Sequence, residues 1–183
     1  MSLSTETPIQ GLRILQRERQ IDSRGTLERL FAADELAALG NELAAVHVNL
    51  TTTNKPGTVK GMHLQHEPFA ETKIVTCIRG RIFDAAVDLR PGSQTFGRWF
   101  GVELSQDEPL SLLIPEGCAH GMQCLETDSL VHYVHSARYA PEAEAGVNPL
   151  DPDVALAWPL EPRYLSKRDQ SLPWLADLAE AKR

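Results

Sequence analysis

Apolar and polar residues alternate in short runs over most of the chain, and glycine and proline cut the runs apart. From residue 46 onward this pattern predicts strands at His47 to Thr53, Thr58 to Gln65, Lys73 to Ile78 and Arg81 to Leu89. Further strands are predicted at Arg98 to Leu104, Leu110 to Ile114, Met122 to Leu125 and Ser129 to Ser136. Arg79-Gly80 separates two of these runs, and a glycine in that position signals a hairpin. Helical spacing is confined to two places. Ala33 to Ala45 is dominated by Leu and Ala, with Asp34 and Glu35 near its start, where acidic side chains complement the helix dipole. Leu172 to Arg183 sets Leu172, Leu175 and Leu178 three apart and ends on Lys182 and Arg183. Many short strands with little helix predict an all-β barrel or sandwich.

Residues two apart on a strand point the same way, so the predicted strands also sort their side chains by face. Gly61, His63 and Gln65 fall together, as do Lys73, Val75 and Cys77, and Val131, Tyr133 and His135. If these faces line one interior, a base, a cation and a phenol share a cavity. Each signal is weak alone: a strand histidine usually serves the core, a lysine opening a strand usually faces solvent, and a tyrosine among apolar residues is usually packed. Pro115-Glu116-Gly117-Cys118-Ala119-His120 follows an apolar run and reads PxGxxH, which resembles the second motif of the cupin superfamily. Metal-binding cupins carry an HxH pair in their first motif. Here His63 and His66 are three apart, so an extended strand turns them to opposite sides, and His66 reads as a loop residue before Glu67-Pro68.

The chain has 183 residues, of which 42% are hydrophobic, enough for a core without disulfides or metal staples, and a single domain spanning 1–183 is the default. A formal net charge of -7 argues against general capture of nucleic acid or an acidic membrane face, so an anionic ligand must be held locally. Cys77, Cys118 and Cys124 form no CxxC pair, which fits a reducing cytoplasm. Met1 through Gln10 lacks the apolar stretch of an export signal, and no apolar run approaches the length that spans a bilayer.

Ordered landmarks across most of the chain resemble the dTDP-4-dehydrorhamnose 3,5-epimerase family. They run from Asp22-Ser23-Arg24-Gly25 through Lys60-Gly61-Met62-His63-Leu64-Gln65 and Lys73-Ile74-Val75, then through the stretch from Gly80 to Arg90 and that from Ile114 to Gly121. Tyr133, Tyr139-Ala140-Pro141-Glu142, Asp151-Pro152-Asp153, Trp158-Pro159-Leu160 and Leu165-Ser166-Lys167-Arg168-Asp169 complete them. The resemblance implies a cupin-type double-stranded β-helix, or jelly roll, with short helical additions. It also implies proton removal and return beside the C4 ketone of a nucleotide-linked 4-keto-6-deoxyhexose, without a cofactor or metal. By the same carry-over His63 is the general base oriented by Asp169, Tyr133 is the acid on the opposite face, and Lys73 stabilises the enolate.

Arg24, Lys60, His120, Tyr139, Glu144 and Arg168 occupy positions that bind substrate in the family. Lys60 stands where an arginine is usual. Arg29 replaces a glutamate, and Val48 and Leu50 replace a polar Gln and Asn that meet the nucleotide base, which implies altered nucleotide or sugar specificity. A homodimer is implied, with the N-terminal segment reaching the partner's site. Open alternatives are an epimerase acting at C3 or C5 alone, a metal-dependent cupin using His63, Glu71 and His120, and a non-catalytic sugar-nucleotide binding protein.

Overall fold

A computed structural model describes residues 3–40 and 43–180. Two antiparallel sheets face each other. The first has the strand order β1 (Leu3–Glu6), β2 (Arg13–Gln16), β10 (Leu110–Ile114), β7 (Lys73–Arg79), β12 (Ser129–His135), β5 (His47–Thr53). The second runs β13 (Glu144–Gly146), β6 (Val59–Gln65), β11 (Cys118–Cys124), β8 (Arg81–Asp88), β9 (Trp99–Ser105). A separate hairpin pairs β3 (Arg19–Asp22) with β4 (Gly25–Glu28). This is the expected jelly roll.

Between the sheets, Val75 and Cys77 of β7, Leu112 and Ile114 of β10 and Val131 of β12 pack on Ile82 and Ala86 of β8 and on Met122 and Cys124 of β11. The outer faces are covered too. Leu36 of helix α1 (Ala33–Ala38) closes over Leu15, Ile74, Leu113 and Val134 outside the first sheet. Leu175 and Leu178 of α3 (Leu175–Glu180), with Trp158, cover Met62, Leu64, Ala85 and Val87 outside the second. Burial on both faces explains why β7 and β8 carry apolar residues at both inward and outward positions.

Several elements differ from the sequence expectation. Strands β1 to β4 precede residue 46; each has four residues, and their many charged and polar side chains hide the alternation. Helix α1 stops at Ala38 instead of Ala45, because Gly40 takes φ 78° and closes the helix with its N–H on Ala37. Strand β11 begins at Cys118, four residues before the expected Met122. The C-terminal helix starts at Leu175, after Pro173, instead of Leu172, and residues 181–183 of the expected helix lie outside the described residues. Arg79-Gly80 is not a hairpin turn: β7 pairs with β10 and β12, while β8 pairs with β9 and β11. The chain crosses there from one sheet to the other. Gly80 has φ 74°, and a Cβ on it would meet Ser129 Oγ at 2.6 Å, so glycine is required for a corner as tight as any hairpin.

Candidate active site

The inner faces turn polar at one end of the two sheets, where they enclose an open cavity of about 420 Å³. Its walls include Lys60, Gly61 and His63 from β6, Lys73 from β7, His120 and Met122 from β11, Tyr133 and His135 from β12, and Asn49 and Thr51 from β5. Arg168, from helix α2 (Lys167–Gln170), completes the rim.

Strict alternation would turn Lys60 away from His63, yet both line the cavity. A bulge is the cause: between the pairs His63↔His120 and Lys60↔Met122, β6 holds one residue more than β11. Gly61, at φ 116°, lies against the partner strand so closely that a Cβ would come within 2.5 Å of the Gly121 Cα. Only glycine permits that approach. Gln65, grouped with His63 by alternation, instead ties down the following loop through Phe69, Arg138 and Ala140 backbone groups. His66 lies exposed beyond the end of β6.

His63 Nε2 is 2.6 Å from Asp169 Oδ1. Asp169 is no ordinary loop carboxylate: it is buried in α2, whose N-cap Ser166 accepts its backbone N–H. Burial favours its neutral form, but the hydrogen bonds from His63 and Ser166 prevail and hold the carboxyl below its usual range. The other ring nitrogen, Nδ1, is 3.3 Å from Arg168 Nη2 and 3.7 Å from Glu144 Oε1. Arg168 pairs with Glu144, which also accepts from the Tyr139 hydroxyl at 3.3 Å.

Lys73 is 7% exposed, against the expectation for a lysine opening a strand. Its ammonium donates to the His63 carbonyl at 3.2 Å and pairs with Glu71 at 3.1 Å. Across the cavity His120 Nε2 is 2.7 Å from Asp84 Oδ1, and the His120 ring meets the Tyr133 ring edge-on at 5.9 Å. Burial pushes the Tyr133 phenol up, and the Asp84 charge pushes it the same way, so the hydroxyl keeps its proton at neutral pH. Burial also lowers the Lys60 ammonium from its ordinary value.

The cavity and its rim thus collect His63, Lys73, Tyr133, Asp169, Lys60, His120, Tyr139, Glu144 and Arg168 in one chain. Arg24 is not among them. It sits at the turn of the β3–β4 hairpin, bound to Asp22 at 2.6 Å, and lines a different surface cleft. Asn49, Thr51, Met122 and His135 join the lining without a sequence motif to mark them, and of the four strand alternation places only His135, on the Tyr133 face.

The chain matches the dTDP-4-dehydrorhamnose 3,5-epimerase family model over residues 6–177. This protein belongs to that family. A relative from Sinorhizobium fredii, dTDP-4-dehydrorhamnose 3,5-epimerase, is 36% identical over 93% of this chain and 88% of its own length. The dTDP-4-dehydrorhamnose 3-epimerase of Streptomyces niveus is 36% identical over 94% of this chain and 84% of its own. The crystal structure of dTDP-6-deoxy-D-glucose-3,5-epimerase from Legionella pneumophila, in complex with dTDP-4-keto-L-rhamnose, superposes with a TM-score of 0.90 at 35% identity, covering 96% of each chain.

Within this dTDP-4-dehydrorhamnose 3,5-epimerase family member, the departures from the family pattern now have places. Val48 and Leu50 lie on the edge strand β5, 60% and 63% exposed, on the face opposite to Asn49 and Thr51, so within one chain they turn away from the cavity and do not stand where a base would be met, contrary to the sequence expectation. Arg29 is engaged with Glu35 at 2.9 Å.

Proposed function

We propose that this protein epimerises a nucleotide-linked 4-keto-6-deoxyhexose at C3, C5 or both, with the cavity between the sheets as its active site. The observation that carries this reading is the placement of an oriented histidine and a protonated phenol on different strands around one cavity, with a buried ammonium in the same lining. A protein that only binds its ligand has no need of a matched base and acid.

With Nε2–H donated to Asp169, the lone pair of His63 lies on Nδ1, which takes the proton beside the ketone. Asp169 then stabilises the imidazolium. Lys73 places fixed positive charge where the enolate oxygen develops, and Tyr133 returns a proton from the opposite face. The substrate ends at the oxidation state at which it began, so the step needs no redox partner. Lys60 and Arg168 meet the diphosphate, while Tyr139 and Glu144 close the rim and His120 contacts the sugar.

The same reading makes the protein a homodimer. Val46, Val48 and Leu50 present an apolar stripe on the β5 edge, and Ile21 and Leu27 on the β3–β4 hairpin are 73% and 67% exposed. An uncovered edge of this kind favours pairing with another chain, and the hairpin would bring Arg24 to the partner's diphosphate. A single domain and a cytoplasmic setting belong to the reading as well. One core shared by both sheets supports the first, and three buried free thiols support the second. No helix among the described residues is long and apolar enough to cross a membrane.

The test is proton NMR of dTDP-4-keto-6-deoxyglucose with the protein in D2O. Deuterium entry at both C3 and C5 marks a double epimerase, and entry at one carbon marks a monoepimerase. Lack of exchange with dTDP-, CDP- and GDP-linked ketosugars alike would favour a binding protein instead.

A further inference from the structure

The inner face of β12 carries a second polar ring beyond Tyr133. His135 lies two residues on and therefore points into the same cavity, where its ring stacks on that of Tyr133 with centroids 5.9 Å apart and planes inclined by 21°. Across the ladder it stands opposite Lys73. Its Nδ1 is 2.8 Å from Glu71 Oε2, and the other oxygen of the same carboxylate is 3.1 Å from Lys73 Nζ. Burial opposes ionisation of Glu71, but the His135 hydrogen bond and the Lys73 charge outweigh it and keep the carboxyl below its ordinary range. An ionised carboxylate therefore fixes at once the ammonium assigned to the enolate and an imidazole that the mechanism above does not use. Ring packing alone accounts for the stacking. It does not account for a buried carboxylate that anchors one ring nitrogen and leaves the other for the cavity.

We infer that His135, oriented by Glu71, is a specificity-determining residue that hydrogen-bonds the hydroxyl on the hexose carbon next to the ketone. The assignment rests on the epimerase reading of the cavity. Lys73 is opposite His135 on the neighbouring strand and Tyr133 is stacked against it, so a substrate group that reaches His135 is close to both the ketone oxygen and the carbon being reprotonated. With Nδ1–H donated to Glu71, Nε2 presents a lone pair, which calls for a donor. Of the two carbons flanking the ketone of a 4-keto-6-deoxyhexose, C5 bears a methyl group and C3 a hydroxyl. The C3 hydroxyl is the donor.

The test compares kcat/KM for deuterium exchange beside the ketone, at C5 or, if the protein exchanges only C3, at C3, on dTDP-4-keto-6-deoxyglucose and on its 3-deoxy analogue. The wild-type protein favours the hydroxylated substrate. His135→Ala narrows that preference by roughly tenfold, the worth of one neutral hydrogen bond at the upper end of its usual range. Glu71→Gln, which frees the tautomer, narrows it by less. His135→Phe keeps the stacked ring without the nitrogen and behaves as His135→Ala does. Binding of dTDP, measured on each variant, shows that the pocket is folded. An equal loss on both substrates, a preference that survives His135→Ala, or its rescue by His135→Phe would each overturn the assignment. Failure of the wild-type protein to exchange either substrate at C3 or at C5 would overturn the epimerase reading and this assignment with it.

Discussion

The two ends of the space between the sheets are built by the same strands and differ in a few residues on each. At the closed end the inward positions are Val75, Cys77, Val131 and Cys124; two or four residues along the same faces stand Lys73, Tyr133, His135 and His120. Burial acts on both ends with opposite outcomes. At the closed end it pushes the Cys77 thiol up to about 12, with only a weak backbone contact in opposition, and leaves a neutral, inert group. At the open end Glu71 and Asp169 suffer the same desolvation, yet each stays ionised because a histidine and a second donor face it. Depth does not make the site; the partners that face the Glu71 and Asp169 carboxylates do.

Breaking the open end should abolish chemistry and spare the fold. His63→Asn is expected to lower the exchange rate by roughly 10³-fold or more, at the upper part of the range for general base catalysis, with dTDP binding retained by calorimetry. Lys73→Met fills the same space without the charge and should cost about 10²–10³-fold in kcat, as the loss of an oxyanion donor does. At the closed end the pattern should invert. Leu112→Ala, at a site with no exposure, should destabilise by about 2–5 kcal/mol in urea unfolding, while kcat per folded molecule stays near that of the wild type.

The smallest effect sharpens the contrast through pH. Asp169 and Glu71 have folded-state pKa values below their ordinary ones, so the stability they contribute is full above the ordinary carboxylate range. It is lost as pH falls from there through the folded values. Asp169→Asn combined with Glu71→Gln should flatten the fall of Tm between about pH 5 and pH 3, the window set by ordinary carboxylate values and the downward shifts. Removal of Cys77, neutral throughout, should leave that slope unchanged.

The alternation of apolar and polar residues locates β5 to β10 and β12 within a residue, with β5 and β10 matched at both ends, but misses the first four residues of β11, where Cys118-Ala119-His120-Gly121 shows no period of two. It did not reveal β1 to β4, whose four-residue runs are too short for a period of two to stand out. Which strands join which sheet was also hidden, since Gly80 looks the same in a hairpin and in a corner between sheets. In the site, strand faces grouped Lys73 with the core and His135 with Tyr133, but alternation alone set Lys60 on the wrong side, for a bulge at Gly61 leaves no count in the sequence. The pairing of His63 with Asp169 is separated by 106 positions and came from the family resemblance alone. Arg24 shows the converse: the sequence grouped it with the substrate contacts, and within one chain it lies in another cleft.

The central claim is that a base and an acid act from opposite faces of one cavity, and the sharpest measurement is NMR of Tyr133→Phe and His63→Asn with dTDP-4-keto-6-deoxyglucose in D2O. Tyr133→Phe should still admit deuterium beside the ketone with retention of configuration, because His63 removes and returns the proton on its own face. His63→Asn should admit none. Inversion at the wild-type rate by Tyr133→Phe, or exchange by His63→Asn, would contradict the account.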